Sequence, residues 1–148
     1  MIKSIRGIEC SLYNGRVEDL LVFLSNKPFD FYIRWCMKVD DNHMTLPKSS
    51  NNFRILPQDL RKLAKESIWE LVLYVYPSDS YCQRIETYDD FINSMCICCL
   101  IFYDCGLLDI YVKESKLRDE LYDLLLFLQA KDLAFITDDS DGRTRLCL

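Results

Sequence analysis

Apolar and polar residues alternate with two different periods along the chain. Residues 4–12 alternate roughly between polar and apolar side chains, which predicts a strand with one buried face. Between residues 17 and 24 the apolar residues recur at helical spacing, and this predicts a short amphipathic helix. Aromatic and β-branched residues dominate 29–39, so a second strand is predicted there.

The middle of the chain loses this periodicity and then recovers it. Residues 40–52 are polar and include a proline, which predicts a long loop and, by its length, a candidate functional segment. Pro57 suits the first turn of a helix. The apolar run 69–76 predicts a strand covered on both faces. Thr87 and Asp90 then match a capping box and predict a short helix.

The most hydrophobic stretch, residues 95–106, holds four of the eight cysteines. It predicts a central strand, with residues 107–113 returning as its hairpin partner. Because side chains alternate along a strand, Cys96 and Cys98 are predicted on one face and Cys99 on the other. Such a run is typical of a buried strand in a reduced protein.

The last third predicts one long helix and a final hairpin. Ser115 is the predicted cap of the helix, and residues 133–137 are predicted to pair with 143–148. The predicted order is β-α-β-α-β-α-β-β-α-β-β. Consecutive strands leave no room for crossover helices, so we expect a single α+β domain over 1–148, with a mixed or mostly antiparallel sheet packed by three to four helices.

Charge is unevenly distributed between the two halves. Residues 1–74 carry 11 basic and 9 acidic side chains, whereas residues 75–148 carry 7 basic and 14 acidic ones, within a net charge of −5. This balance argues against nucleic-acid binding, which needs a concentrated basic surface. It is compatible with an acidic face that binds a basic partner.

The beginning of the chain lacks the uninterrupted apolar segment of a signal peptide, and the longest apolar run is about half a membrane span. We therefore expect a soluble, cytoplasmic protein that does not associate with membranes. In that compartment the cysteines are expected to be reduced thiols rather than disulfides.

Candidate chemistry is sparse. Cys105 lies at a predicted turn, but the neighbouring carboxylate of Asp104 disfavours its thiolate. His43, the single histidine, lies in the polar loop and is the only histidine base for a cysteine hydrolase. The spacing of Cys96 and Cys99 matches half of a zinc site without a second pair, so we predict no metal and no cofactor.

Two arginines near the end of the chain form the remaining candidate. Arg143 and Arg145 are two positions apart on a predicted strand, so they would point to the same face and could clamp a carboxylate or phosphate. Pairing with Asp138, Asp139 or Asp141 is the favoured alternative. The candidate binding residues are Arg143, Arg145, His43, Asp104 and Cys105, and no catalytic residue is predicted.

The C-terminal half, residues 68–148, resembles a family of short bacterial proteins catalogued as domain of unknown function 2691. The residues that carry the resemblance are Thr87–Phe91, Asn93, Ser94, Cys96, Asp104, Ile110–Lys113, Ile136, Thr137 and Gly142–Leu146. The resemblance implies a bacterial cytosolic protein and no established activity.

The leading functional hypothesis is a small non-enzymatic protein-binding or regulatory protein, of immunity or adaptor type. It would use the acidic C-terminal half or the 40–52 loop against a protein partner, and no particular oligomeric state is predicted. The alternative is a small-molecule-binding domain or hydrolase that uses Cys105, His43 or the Arg143/Arg145 pair. A weaker third hypothesis is thiol-based redox sensing.

Overall fold

A computed structural model describes residues 4–12, 17–38, 52–104 and 106–148. His43, Cys105 and nearly all of the predicted 40–52 loop lie outside the described residues. Within them the elements run β1 (Ile5–Ser11), α1 (Val17–Ser25), β2 (Phe29–Lys38), β3 (Phe53–Ile55), α2 (Pro57–Ala64), β4 (Ile68–Pro77), α3 (Tyr88–Ile92), β5 (Cys98–Tyr103), β6 (Leu107–Val112), α4 (Ser115–Phe127) and β7 (Lys131–Thr137).

The strands form one sheet in the order β3-β2-β4-β5-β6-β1-β7. Every pairing between neighbours is antiparallel. The predicted α+β class is confirmed, and so is the order of elements through β7, with β3 as a short addition. Gly7 on β1 lies so close to β6 that a Cβ there would clash with the carbonyl oxygen of Ile110.

One face of the sheet is covered by α1, α2 and α4. Aliphatic side chains dominate this helix-side core, because alternate strand residues meet the apolar stripes of the helices. Fully buried members include Ile8, Leu21, Leu60, Leu73, Leu100, Ile110 and Leu121.

The opposite face is covered by irregular chain. Here the core contains tyrosine and cysteine side chains from the strands, and it is closed by residues 78–97, which include α3, and by residues 138–148, which we call the tail. Buried members include Tyr74, Tyr76, Ile85, Phe91, Cys96, Cys99, Tyr111, Ile136 and Leu146. We call this the tail-side core.

Irregular strand geometry overturns one predicted face. Ile97 and Cys98 both pack in the helix-side core, so the alternation slips by one residue before β5 begins. Cys96 therefore shares the tail-side core with Cys99, and the prediction that it faces the same way as Cys98 is wrong. A similar register shift between Ile33 and Trp35 places Trp35 on the tail side.

Of the two predicted helix caps, the one of α3 is confirmed and the one of α4 is wrong. The capping box is confirmed, since the Thr87 hydroxyl accepts from the Asp90 amide and the Asp90 carboxylate accepts from the Thr87 amide. The predicted Ser115 cap is wrong: α4 begins at Ser115, Glu114 occupies the cap position, and its side chain makes no cap bond.

The predicted final strand is also wrong. Residues 143–148 form no strand, because Leu146 and Cys147 bury themselves on the tail-side face instead of pairing beside β7.

Candidate functional site

A cleft of about 530 Å³ lies between the tail and the sheet. The lining residues are Glu9, Tyr103, Asp109, Tyr111, Ile136, Asp141, Gly142, Arg143, Thr144, Arg145 and Cys147, and we call it the tail cleft. The strands β1, β5 and β6 supply its floor, and the tail supplies its other wall. Its volume falls within the usual range of ligand pockets.

Asp109 and Arg143 join the floor of the cleft to the tail. Nε and Nη2 of Arg143 donate to the same carboxylate oxygen, Oδ2 of Asp109, at 3.1 and 3.0 Å. The Tyr103 hydroxyl donates to that oxygen at 3.3 Å, and its ring centroid lies 4.9 Å from the guanidinium carbon. Asp109 raises the pKa of the Arg143 guanidinium despite its burial. The pair is thus already satisfied within the protein.

Asp141 is the second polar link between tail and sheet. Its side chain is 3 % exposed. It accepts hydrogen bonds from the Tyr111 hydroxyl at 2.8 Å, from Nη1 of Arg6 at 3.2 Å and from the Arg143 amide at 3.1 Å. Arg6 also donates to Asp138 and lies 4.1 Å from the centroid of the Tyr88 ring. Charge-assisted bonds of this kind hold the tail in place.

Glu86 forms a third link at the far end of the tail. Its carboxylate accepts from Arg145 at 2.7 Å, Arg34 at 2.9 Å and Arg84 at 3.3 Å. The hydrogen bond from Arg145, followed by that from Arg34, lowers the pKa of Glu86 to about 2. The tail therefore meets a carboxylate that stays ionised over most of the pH range.

Backbone contacts of Leu146 complete the attachment of the tail. The Leu146 amide donates to the Glu86 carbonyl at 2.9 Å, and the buried Tyr74 hydroxyl donates to the Leu146 carbonyl at 2.9 Å. A buried hydroxyl that is bonded in this way stabilises a segment that lacks regular secondary structure.

Glu9 behaves differently from the other acidic residues of the cleft. Among the described residues it has no cationic partner, and it lies directly opposite Asp109 across the β1–β6 ladder. Partial burial, and then repulsion by Asp109 and Asp141, raise the pKa of Glu9. This carboxylate is therefore the one in the cleft whose charge the fold does not balance.

The predicted site residues do not converge. Arg143 and Arg145 both line the cleft but bind separate carboxylates, Asp109 and Glu86. Their predicted pairing with Asp138, Asp139 or Asp141 is wrong, because the tail crosses the sheet and brings other carboxylates closer. Asp104 lies exposed in the β5–β6 turn with φ 50° and is not in the cleft lining. His43 and Cys105 fall outside the described residues.

Sequence reasoning missed the floor of the cleft. Asp109 is the single charged residue of β6, a strand that is otherwise apolar, and this is the signal that could have identified it. Glu9 carries no such signal, because β1 alternates between polar and apolar residues. Tyr111 and Glu86 carry no comparable local signal, because their partners lie 30 and 59 positions away.

Six of the seven described cysteines are buried, Cys82 is half-buried, and all seven are reduced. Cys10, Cys36, Cys96, Cys98, Cys99 and Cys147 are buried, and none of the described cysteines is in a disulfide. Burial raises the pKa of the Cys96 thiol to about 12 and raises the pKa values of the Cys98 and Cys99 thiols well above their usual value. These thiols are poor nucleophiles. No group of metal-ligating side chains is assembled within the described parts of the chain.

A second exposed region lies at the β7 edge of the sheet, towards the helix side. It consists of the outer edge of β7, the Tyr122–Phe135 pair and the last turn of α4, which carries Leu126 and Phe127, and we call it the edge surface. Tyr122 stacks on Phe135 with ring centroids 4.7 Å apart. Leu126 lies one helical turn after Tyr122 and is 55 % exposed, while Phe127 is 82 % exposed.

A family model described as "Protein of unknown function (DUF2691)" matches residues 5–147. The chain belongs to this family. The match extends the resemblance of residues 68–148 to the N-terminal half, so β1 and the first helices are part of the shared family region.

One curated relative in the same comparison is the "Uncharacterized protein YncE" of Bacillus subtilis (strain 168). It is 32% identical over 74 residues, which cover 50% of this chain and 48% of the relative, or about half of each protein. No solved structure matches the chain. None of the described helices is both long and apolar enough to cross a membrane.

Proposed function

We propose that this protein is a non-enzymatic binding protein, of regulatory, adaptor or immunity type, and that it contacts a protein partner through the edge surface. The observation that carries the proposal is the exposure of Leu126 and Phe127 in the last turn of α4, together with the stacked pair Tyr122–Phe135 and the outer edge of β7. Aromatic and aliphatic side chains grouped at a surface are typical of protein interfaces.

The acidic character of the C-terminal half supports the same proposal. Glu9 of β1 and Asp132 of β7, which have no cationic partner among the described residues, lie near the β7 edge of the sheet, and Glu9 is on the face opposite Phe135. A negative field of this kind favours encounter with a basic protein and sets its orientation. By contrast, Asp109 and Asp141 of the tail cleft bind Arg143 and Arg6 of the same chain.

A pulldown from a Bacillus lysate tests this function. The bait is the full chain, compared with a double variant, Leu126→Ser with Phe127→Ser. The matched control is Phe53→Ser with Leu56→Ser, because these side chains have similar exposure, 48 % and 46 %, at the opposite end of the sheet. We expect a discrete partner that the wild type and the control recover and the Leu126/Phe127 variant does not.

Failure to recover any protein under mild conditions would refute the proposed function. Equal recovery by all three baits, or loss only with the Phe53/Leu56 control, would refute the location. Thermal unfolding of the three baits establishes that each is folded.

The tail cleft supports a second candidate function, which is binding of a small molecule. Its 530 Å³ volume, the Tyr103 and Tyr111 side chains and the exposed Arg145 are the observations in its favour. A hydrolase version would further need Cys105 or His43. We expect a ligand to raise the unfolding temperature of the wild type and of Arg84→Lys but not of Arg143→Lys. Unchanged turnover in Cys105→Ser and His43→Ala would exclude the hydrolase version.

A further inference from the structure

One edge of the sheet is formed by β7, the last of the described strands in the sheet order. Within the described residues, β7 pairs with β1 along one side and with no strand along the other, over seven residues. The opposite end of the sheet is β3, which is only three residues long. A strand edge of the length of β7 offers a row of backbone donors and acceptors to an extended peptide.

The two faces beside this edge differ in chemistry. On the helix side, Leu133 packs against the core and Phe135 stacks on Tyr122, so the surface is apolar and aromatic. On the other side, Ala134 lies opposite Glu9 of β1. The small side chain of Ala134 leaves Glu9 open towards the edge.

Negative charge is concentrated on that second side. Glu9, Asp109 and Asp132 line a cleft of about 260 Å³ next to the edge. Among the described residues Glu9 and Asp132 have no cationic partner, whereas Asp109 is bound to Arg143. A basic side chain lying over Ala134 would therefore meet two unpaired carboxylates.

We propose that β7 binds, by strand addition, an extended segment of a partner protein in which basic residues alternate with apolar ones. The added strand would lie about 4.8 Å from β7. Its basic side chains would extend towards Glu9 and Asp132, and its apolar side chains would pack on Phe135 and Leu126. This inference rests on the proposed function, and it adds the mode of binding and the class of partner sequence.

Peptide titration followed by nuclear magnetic resonance tests the inference. The probe is a capped peptide of about seven residues, the length of β7, in which lysine and valine alternate. One control peptide has the same composition with the lysines grouped together, and another replaces every lysine by glutamate. We expect amides of β7 to gain protection from hydrogen exchange with the alternating lysine peptide alone.

Charge variants of the protein sharpen the test. Glu9→Gln and Asp132→Asn should each weaken binding of the lysine peptide by about two- to fivefold, with a reduced dependence on salt. Asparagine tolerates the positive φ of 55° at position 132, so that variant keeps the local backbone. Asp59→Asn on α2 removes an exposed carboxylate far from β7 and should leave binding of the lysine peptide unchanged.

Four results would overturn the inference. The first two are the absence of binding by the lysine peptide and equal binding of the glutamate peptide. The third is a set of chemical-shift changes confined to Tyr111 and Arg143 of the tail cleft. The fourth is protection of the β7 amides from hydrogen exchange that grows with protein concentration alone. The last result would identify a second copy of this chain as the occupant. If the pulldown still depends on Leu126 and Phe127, strand addition fails while the proposed function stands.

Discussion

The tail cleft lies on the tail side of the sheet and the edge surface lies at the β7 edge towards the helix side, and the two differ in how their polar and apolar groups are satisfied. In the cleft, Arg143 binds Asp109 and Asp141 binds Arg6 and Tyr111. At the edge surface, Phe127 is 82 % exposed and β7 has no outer neighbour among the described strands. The cleft thus holds the tail on the sheet, whereas the edge surface has exposed apolar side chains and no outer strand among the described residues.

Removal of the Asp141 carboxylate should weaken the attachment of the tail to the sheet more than any other change. Asp141→Ala leaves the Tyr111 hydroxyl and the Arg143 amide without their acceptor and removes one of the carboxylates that bind Arg6, so we expect unfolding to become easier by about 2 to 3 kcal/mol. Asp138→Ala is the matched control, because Asp138 also binds Arg6 but is 49 % exposed. Denaturant titration compares the two, and equal small losses would show that Asp141 does not hold the tail.

Loss of one buried hydroxyl should have the next largest effect. Tyr74→Phe removes the hydrogen bond to the Leu146 carbonyl while the ring stays in place, and we expect a cost of about 1 kcal/mol. Limited proteolysis should cut the tail faster in this variant than in the exposed control Tyr81→Phe. A tail that stays equally protected in both variants would contradict the attachment through Tyr74.

Acid should loosen the tail through Glu86. The folded-state pKa of about 2 lies below the ordinary glutamate value of 4.5, so the stabilisation is fully present above about pH 4.5 and is lost as the pH falls towards 2. Glu86→Gln lacks this contribution, and we expect a cost of about 1 kcal/mol at neutral pH. The unfolding free energies of the two proteins should therefore converge in acid, and a constant difference between pH 6 and 2 would exclude this role.

The contrast between local and distant signals explains what the sequence could predict. The Thr87–Asp90 cap and the buried strand after Cys96 depend on neighbouring residues, and both are present. The partners of Arg143 and Arg145 lie 34 and 59 positions away, and only the path of the tail brings them together. The predicted ion pairs with Asp138, Asp139 and Asp141 were based on closeness in the sequence. They are wrong because the tail brings more distant carboxylates to the two arginines.

The hydrophobic pattern of the sequence also could not predict the β-bulges or the strand that forms the edge of the sheet. The register shift at Trp35 moves a tryptophan to the opposite face without any change in the apolar pattern. The open edge of β7 follows from strand order, which hydrophobic periodicity does not encode. The fold class was thus predictable, whereas the edge surface and the floor of the cleft were not.

The smallest expected effect has the opposite sign. The raised pKa of Glu9 means that its charged form opposes folding at neutral pH, and this penalty fades as the pH falls and the group is protonated. Glu9→Gln should raise the unfolding free energy at pH 7 by up to about 0.5 kcal/mol. A loss of stability in this variant would show that Glu9 serves the fold rather than a partner.

Site-specific photo-crosslinking in a Bacillus host tests the central distinction between the two regions. A photoreactive residue replaces Phe127 of the edge surface in one strain and the exposed Thr144 of the tail cleft in another. The account predicts a discrete crosslinked protein from position 127 and none from position 144. Crosslinking from position 144 alone would contradict it and would make the cleft the binding site.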